Sequence, residues 1–343
     1  MDWEQKSLRL GALALAFAVV LRLFAGGGFG IATRALTSQE LVSAVLFLET
    51  GRVIKPKEPA ATAPPETQDV PPETESTQSA GEQIPDGAEG PVQAVFGEQD
   101  AALVKVNSVC GYDADVANLL TQPLSWNLTE EGPKVLIIHT HGSESYRKTE
   151  KYKESSAYRT KDTDYNVVSI GERIKEVLEA GGIGVVHDKT MHDVPSYNAA
   201  YANAREATEK HLKKHPTISL ILDIHRDSVE DENGKEMEFS IEAQGSSVAR
   251  LMLVVGTDAG GLAHPDWRSN MSLAVKLHAQ LEKNTPGICR SISFRNQRFN
   301  QDLSPGALIV EVGAAGNTRK EALAAAELLA RGILDIAGGA ESG

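Results

Sequence analysis

Three short stretches hold the residue types from which a metal-dependent hydrolytic site is built. They are His139-Thr140-His141-Gly142-Ser143-Glu144, Asp223-Ile224-His225-Arg226-Asp227, and Glu311 within ALIVEVGAAGN. Each closes a run of Val, Leu and Ile. Zinc takes nitrogen and oxygen ligands in a tetrahedron and, at catalytic sites, leaves one position for water; two histidines and one carboxylate form an established set. His141, Glu144 and His225 supply it: His141 leaves a strand as the chain turns at Gly142, Glu144 swings back toward the same point, and His225 arrives from a separate strand. Hydrolysis also needs a carboxylate outside the ligand set that takes a proton from water and returns it to the leaving group. Glu311, at the end of an otherwise apolar strand, is the candidate base, with a buried salt-bridge partner as the competing reading. His139 shares a face with His141 by the period of a strand and is a substitute ligand.

The remaining histidines, His187, His192, His211, His215, His264 and His278, read as hydrogen-bonded core or rim residues rather than ligands. His211 and His215 are four apart, but they end a Lys-rich helix, where they complement its dipole.

The elements that must position these groups follow from hydrophobic spacing. From about Lys134 short β-branched runs alternate with helical stretches: KVLIIHTH, a helix over VVSIGERIKEVLEA, IGVVHD, a helix beginning near PSYNAA, then ISLILDIH, RLMLVVG, a helix over SNMSLAVKLHAQLEKN, ALIVEVG and a last helix over TRKEALAAAELLARGIL. Strands separated by 12 to 20 helical residues cannot be hairpins. The pattern therefore predicts an α/β fold, a mainly parallel sheet with helices on both faces, whose ligands gather where strand ends converge. VKVNSVCGYDADVANLL, residues 104–120, reads as an edge element of the same domain.

The chain of 343 residues carries a net charge of −13. Residues 58–100 hold ten Asp or Glu and no Lys or Arg, leaving 37 acidic against 34 basic side chains elsewhere. With no broad positive field and no basic-aromatic cluster, nucleic acid is not an expected partner. Cys110 and Cys289 lie far apart with no metal or redox spacing, and their pairing is open. Residues 8–32 are almost wholly apolar after Lys6 and Arg9, which predicts an uncleaved membrane anchor, despite Arg22 in the middle and Gly26, Gly27 and Gly28 beyond. The expected organisation is an anchor over 1–34, a juxtamembrane helix over 35–54, a disordered acidic Pro-rich spacer over 55–100, and a catalytic domain over 101–343.

Six pieces, KVLIIHTHGSESY, HDKTMHDVPSYNAAYANAR, LILDIHRDS, VVGTDAGGLAHPDWRSN, RFNQDLSPGALIVEVGAAGN and EALAAAELLARGI, run in order through the folded part. In these the segment 104–334 resembles the stage II sporulation protein P family of membrane-anchored peptidoglycan hydrolases. The resemblance implies an amidase-like three-layer sandwich and a zinc-dependent N-acetylmuramoyl-L-alanine amidase, with endopeptidase action on cross-links as a second activity. It also implies peptidoglycan as substrate, a lytic transglycosylase and other engulfment membrane proteins as partners, and a single-pass location with the catalytic domain outside the cytoplasmic membrane. In the more distant zinc amidases a Glu opens the helix after the first strand; here that position is Asn166, so the third ligand is Glu144, His139, Asn166 or water. Among the matching segments Arg226, His192, Tyr197, Arg298, Asn300 and Gln301 are candidate substrate contacts, since stem peptides carry carboxylates and amides. The rival readings are a zinc carboxypeptidase or endopeptidase using the same ion, and a non-catalytic tethered cell-wall binding protein.

Overall fold

In the computed structural model, which describes residues 96–124, 128, 131–148 and 158–338, the apolar β-branched runs form strands and the amphipathic stretches form helices. The strands are β1 (Val106–Ser108), β2 (Pro133–Ile138), β3 (Gly184–His187), β4 (Leu220–Asp227), β5 (Ser240–Ala243), β6 (Ser246–Ala249), β7 (Leu251–Val255), β8 (Ile292–Phe294) and β9 (Ala307–Ala314). The helices are α1 (Val116–Thr121), α2 (Val167–Ala180), α3 (Ala200–Lys214), α4 (Trp267–Asn284) and α5 (Arg319–Ala337).

Seven strands make one sheet in the order β1-β8-β7-β9-β4-β2-β3, and β5 with β6 forms a separate hairpin. Every neighbouring pair in the large sheet is parallel except β7 and β9. The α/β architecture with a mainly parallel sheet is therefore present, with one reversal. The chain changes direction twice to produce it: between β4 and β7, whose connection carries the β5–β6 hairpin, and again between β8 and β9, joined by residues 295–306 with only the single 3-10 turn Gln301–Leu303 and no crossover helix. The β5–β6 hairpin, absent from the sequence expectation, turns on Gln244 and Gly245 at φ 52° and 74°. Two consecutive left-handed residues are what a tight two-residue hairpin loop demands.

Alternation along β4 sorts its side chains between two layers. Leu220, Leu222 and Ile224 join the larger core with residues of α2, α4 and α5, such as Ile174, Leu277 and Leu329. Ile221 joins a smaller cluster with Leu136, Ile138 and Ala204 of α3. Asp223 and His225 follow Ile221 in steps of two, so they lie on the α3 side of the sheet. β2, β4 and β9 are adjacent, and their carboxyl ends open at one place, which is where ligands collect in sheets of this kind.

Residues 104–120 supply the edge strand β1. The end of the stretch read as spacer packs onto the domain: Phe96 is buried, and Asp100 pairs with Lys283 at 3.0 Å. Cys110 and Cys289 are both free thiols. Among the described residues no helix is long and apolar enough to cross a membrane. The apolar segment 8–32, the expected helix over 35–54 and the spacer through residue 95 lie outside the described residues.

Candidate metal centre

β2 ends at Ile138, and residues 140–143 form a turn closed by the Glu144 amide donating to the His141 carbonyl at 3.0 Å. Gly142 lets the turn pack closely on the next segment, where a Cβ would stand 3.0 Å from the Met191 Cα. The turn brings His141 Nδ1 to 3.5 Å from Glu144 Oε1. From β4, His225 places its Nδ1 3.3 Å from Glu144 Oε2. The three ligand atoms lie within 4.8 Å of one another, the one such His, Cys, Asp or Glu group among the described residues, and the His141 and His225 ring centres are 5.2 Å apart. Ligand atoms about 2.0–2.1 Å from a tetrahedral zinc stand about 3.4 Å from each other. The two His–Glu144 spacings, 3.5 and 3.3 Å, are close to that value, and the group as a whole lies within 4.8 Å.

Electrostatics point the same way. Burial opposes ionisation of Glu144, but hydrogen bonding from His141 and His225 outweighs it and holds the carboxyl well below its ordinary range. Burial likewise disfavours a charged His225, yet the Asp223 and Glu144 carboxylates on its two sides raise it well above the usual imidazole value. Asp223 Oδ1 stands 2.9 Å from His225 Nε2, and Asp223 also accepts from the Thr140 amide and hydroxyl at 2.8 and 2.5 Å. This pocket therefore favours a cation between its carboxylates. A proton on His225 is one such cation, and a metal on Nδ1, with Asp223 fixing the other ring nitrogen, is another.

Glu311 is the single position of β9 that is not fully buried. It pairs in register with His225, so the two side chains project from neighbouring strands about 4.8 Å apart on the same face. Its Oε2 is buried and finds no hydrogen-bond partner among the described residues. Burial pushes the carboxyl up to about 8, opposed by His225 and reinforced by Glu144 and Asp227. The salt-bridge reading of Glu311 thus has no partner to support it here.

These groups floor an open cleft lined also by Tyr158, Arg159, Tyr197, Tyr201 and Arg226, and by Asp227, Ser228, Glu230, Gly234 and Glu236. Tyr197 is 54% exposed and stacks on His141, with ring centres 4.5 Å apart. Arg226 lines the cleft, but its donors hold the ligand turn: Nε binds the Ser145 carbonyl at 3.0 Å, Nη2 the Tyr158 carbonyl at 2.9 Å, and its amide donates to Glu144 Oε2 at 3.2 Å. The other four expected contacts lie elsewhere. Gln301 is buried and bridges the Gly256 amide and Val254 carbonyl. Asn300 donates to the Tyr201 carbonyl, Arg298 pairs with Asp302, and the buried His192 faces Asp188. Residue type suggested contacts at these positions, but none of the four lines the cleft; Gln301 is tied to β7, and the other three face neighbouring loops and α3.

Two alternatives for the third ligand also have other work. His139 is wholly buried under α2, its Nδ1 3.0 Å from the Ile224 carbonyl and its Nε2 2.9 Å from His187 Nε2. The strand period does not carry it to the His141 face, because the chain leaves the strand after Ile138. Gly171 makes room for it, since a Cβ there would lie 2.7 Å from the His139 ring. Burial depresses His139 to about 3, so it stays neutral. Asn166 caps α2, accepting from the Val168 amide at 3.0 Å while its amide donates to the Thr160 carbonyl at 3.1 Å. Asn166→Ala is therefore expected to cost about 0.5–2 kcal/mol of stability with no change in metal stoichiometry, as checked by denaturant unfolding beside metal analysis. Sequence reasoning assigned no separate role to Asp223 and did not reach Asp193 or Arg159. Asp223 had a signal, an acid two residues before His225 on the same face of a buried strand.

Residues 38–334 match the family described as Stage II sporulation protein P (SpoIIP). The Stage II sporulation protein P of Bacillus subtilis (strain 168) is 30% identical over 209 residues, 57% of this chain and 49% of that protein. The chain thus spans about half the length of that curated relative. Among solved structures, the N-acetylmuramoyl-L-alanine amidase AmiC2 of Nostoc punctiforme is 19% identical with a TM-score of 0.37, over 60% of this chain and 97% of that one. The N-acetylmuramyl-L-alanine amidase from Mycobacterium smegmatis is 14% identical with a TM-score of 0.37, over 62% of this chain and 100% of that one. With a match running from ahead of the described domain through most of its last helix, the chain belongs to the stage II sporulation protein P family.

Proposed function

We propose that the chain is a zinc-dependent peptidoglycan hydrolase that cleaves the amide between the lactyl group of N-acetylmuramic acid and the L-alanine of the stem peptide. The observation that carries this reading is the meeting of His141, Glu144 and His225 with an unpartnered Glu311 carboxyl beside them. Family membership supports the choice of cell-wall amide as substrate. Endopeptidase action on cross-links, tethering through residues 8–32 and work beside a lytic transglycosylase belong to the same proposal.

His141 Nδ1, His225 Nδ1 and Glu144 would hold the ion, and Asp223 orients His225 for it. Bound zinc supplies Lewis acidity toward water and the scissile carbonyl. Glu311 takes the proton of the attacking water on its carboxylate and delivers it to the departing alanine nitrogen. A group that must both accept and return a proton works best with a pKa near the working pH, and burial has moved Glu311 into that range. Arg226 keeps Glu144 facing the site, and Tyr197 shields one face of the His141 ring.

Digestion of purified sacculi is expected to release free stem peptides and denuded glycan, with release abolished by a zinc chelator and restored by added zinc. Mass spectrometry of the products checks it. Cleavage within the stem peptide alone would assign a carboxypeptidase or endopeptidase instead, and undiminished release under chelation would sink the metal reading.

A further inference from the structure

We propose that Asp193 is a positioning residue of the metal centre: it anchors the Arg159 guanidinium and so keeps Glu144 available to a divalent cation. This rests on the metal reading above. The Asp193 side chain is 1% exposed, while that of Glu144 is 7% exposed, and the two share one guanidinium. Arg159 Nη1 donates to Asp193 Oδ2 at 2.9 Å, in the range of a strong charge-assisted bond. Its Nη2 reaches Glu144 Oε1 at the longer distance of 3.3 Å. That oxygen is also the one His141 Nδ1 faces.

The competition matters because the two cations beside Glu144 differ in kind. A proton on His225 leaves when a metal binds, but a guanidinium cannot be deprotonated and must be displaced or drawn away. Asp193 provides the draw. It also accepts from the Ser143 amide at 3.2 Å and from the Ser143 hydroxyl, while Arg159 Nη1 donates to that hydroxyl oxygen at 3.1 Å. Asp193 therefore anchors both the competitor and the turn that bears two ligands. Without its charge, Arg159 would be drawn less strongly away from Glu144 and would contest the metal for it.

The test is a zinc titration of the full chain against a chromophoric chelator, with the absorption of the cobalt-substituted protein as a second readout and thermal unfolding to establish that each variant folds. Asp193→Asn is expected to weaken zinc about 10–100-fold, the usual effect of losing an outer partner of a metal ligand, and to alter the cobalt spectrum. Adding Arg159→Met to Asp193→Asn is expected to recover most of that loss, which a merely structural defect would not allow. Zinc binding by Asp193→Asn equal to that of the unchanged chain, or a double variant no tighter than the single, overturns the inference while leaving the metal centre standing. An unchanged chain that binds neither zinc nor cobalt removes the centre and the inference together. Should Asp193→Asn fail to fold, Arg159→Met alone decides: tighter zinc supports the competition, and weaker zinc overturns it.

Discussion

Glu311→Gln is expected to keep one zinc per chain and to lose about 10²–10⁴-fold in turnover on sacculi, the usual size of a general acid-base contribution. Glutamine has the same shape but neither accepts nor returns the proton. The second half of the expectation concerns stability. A buried carboxyl whose Oε2 has no partner costs free energy when it ionises, and an amide of the same size cannot ionise. The variant should therefore unfold at the same or a higher denaturant concentration than the unchanged chain, the exchange of activity against stability that functional groups commonly show. Metal analysis, turnover and unfolding on one preparation check all three. Near-normal turnover would take Glu311 out of the mechanism, and lost zinc would make it a ligand.

The two histidines proposed to hold the metal are expected to part company when replaced. His141→Ala and His225→Ala should both abolish stoichiometric zinc and, with it, turnover. Only His225→Ala should also damage the fold, because it leaves the buried Asp223 and Glu144 carboxylates facing each other with no imidazolium between them. Stranding buried charges in this way costs about 3–5 kcal/mol. His141 sits at the cleft wall against Tyr197, and its removal strands no comparable pair. Denaturant unfolding separates the two. Equal stability of both variants would mean that His225 does not neutralise its neighbours in the folded chain.

The parts of this arrangement that depend on period and type were legible before any coordinates. Val135 to Ile138 and Leu220 to Ile224 announce buried parallel strands, and His141, His225 and Glu311 stand at the ends of three apolar runs. What was not legible depends on where the backbone goes after a strand stops. His139 and His141 share a parity that would place them together in an extended chain, yet the turn after Ile138 separates them. Gln301 and Arg298 look like surface contacts until the short β8–β9 connection ties Gln301 to β7 and pairs Arg298 with Asp302. Asp193 and Arg159 sit in loops with no periodicity at all, and nothing short of coordinates brings an acid 50 residues downstream onto the Ser143 amide.

The two-layer sorting of β4 has a consequence for how this chain avoids misfolding. A slip of β4 by one position would carry Asp223 and His225 into a dry apolar layer and thrust Leu222 and Ile224 into the open cleft. The penalty of such a slip is large because the face bearing Asp223 and His225 is charged. The polarity proposed to serve hydrolysis thus also guards the strand against misthreading, and an apolar replacement at Asp223 would relax that guard.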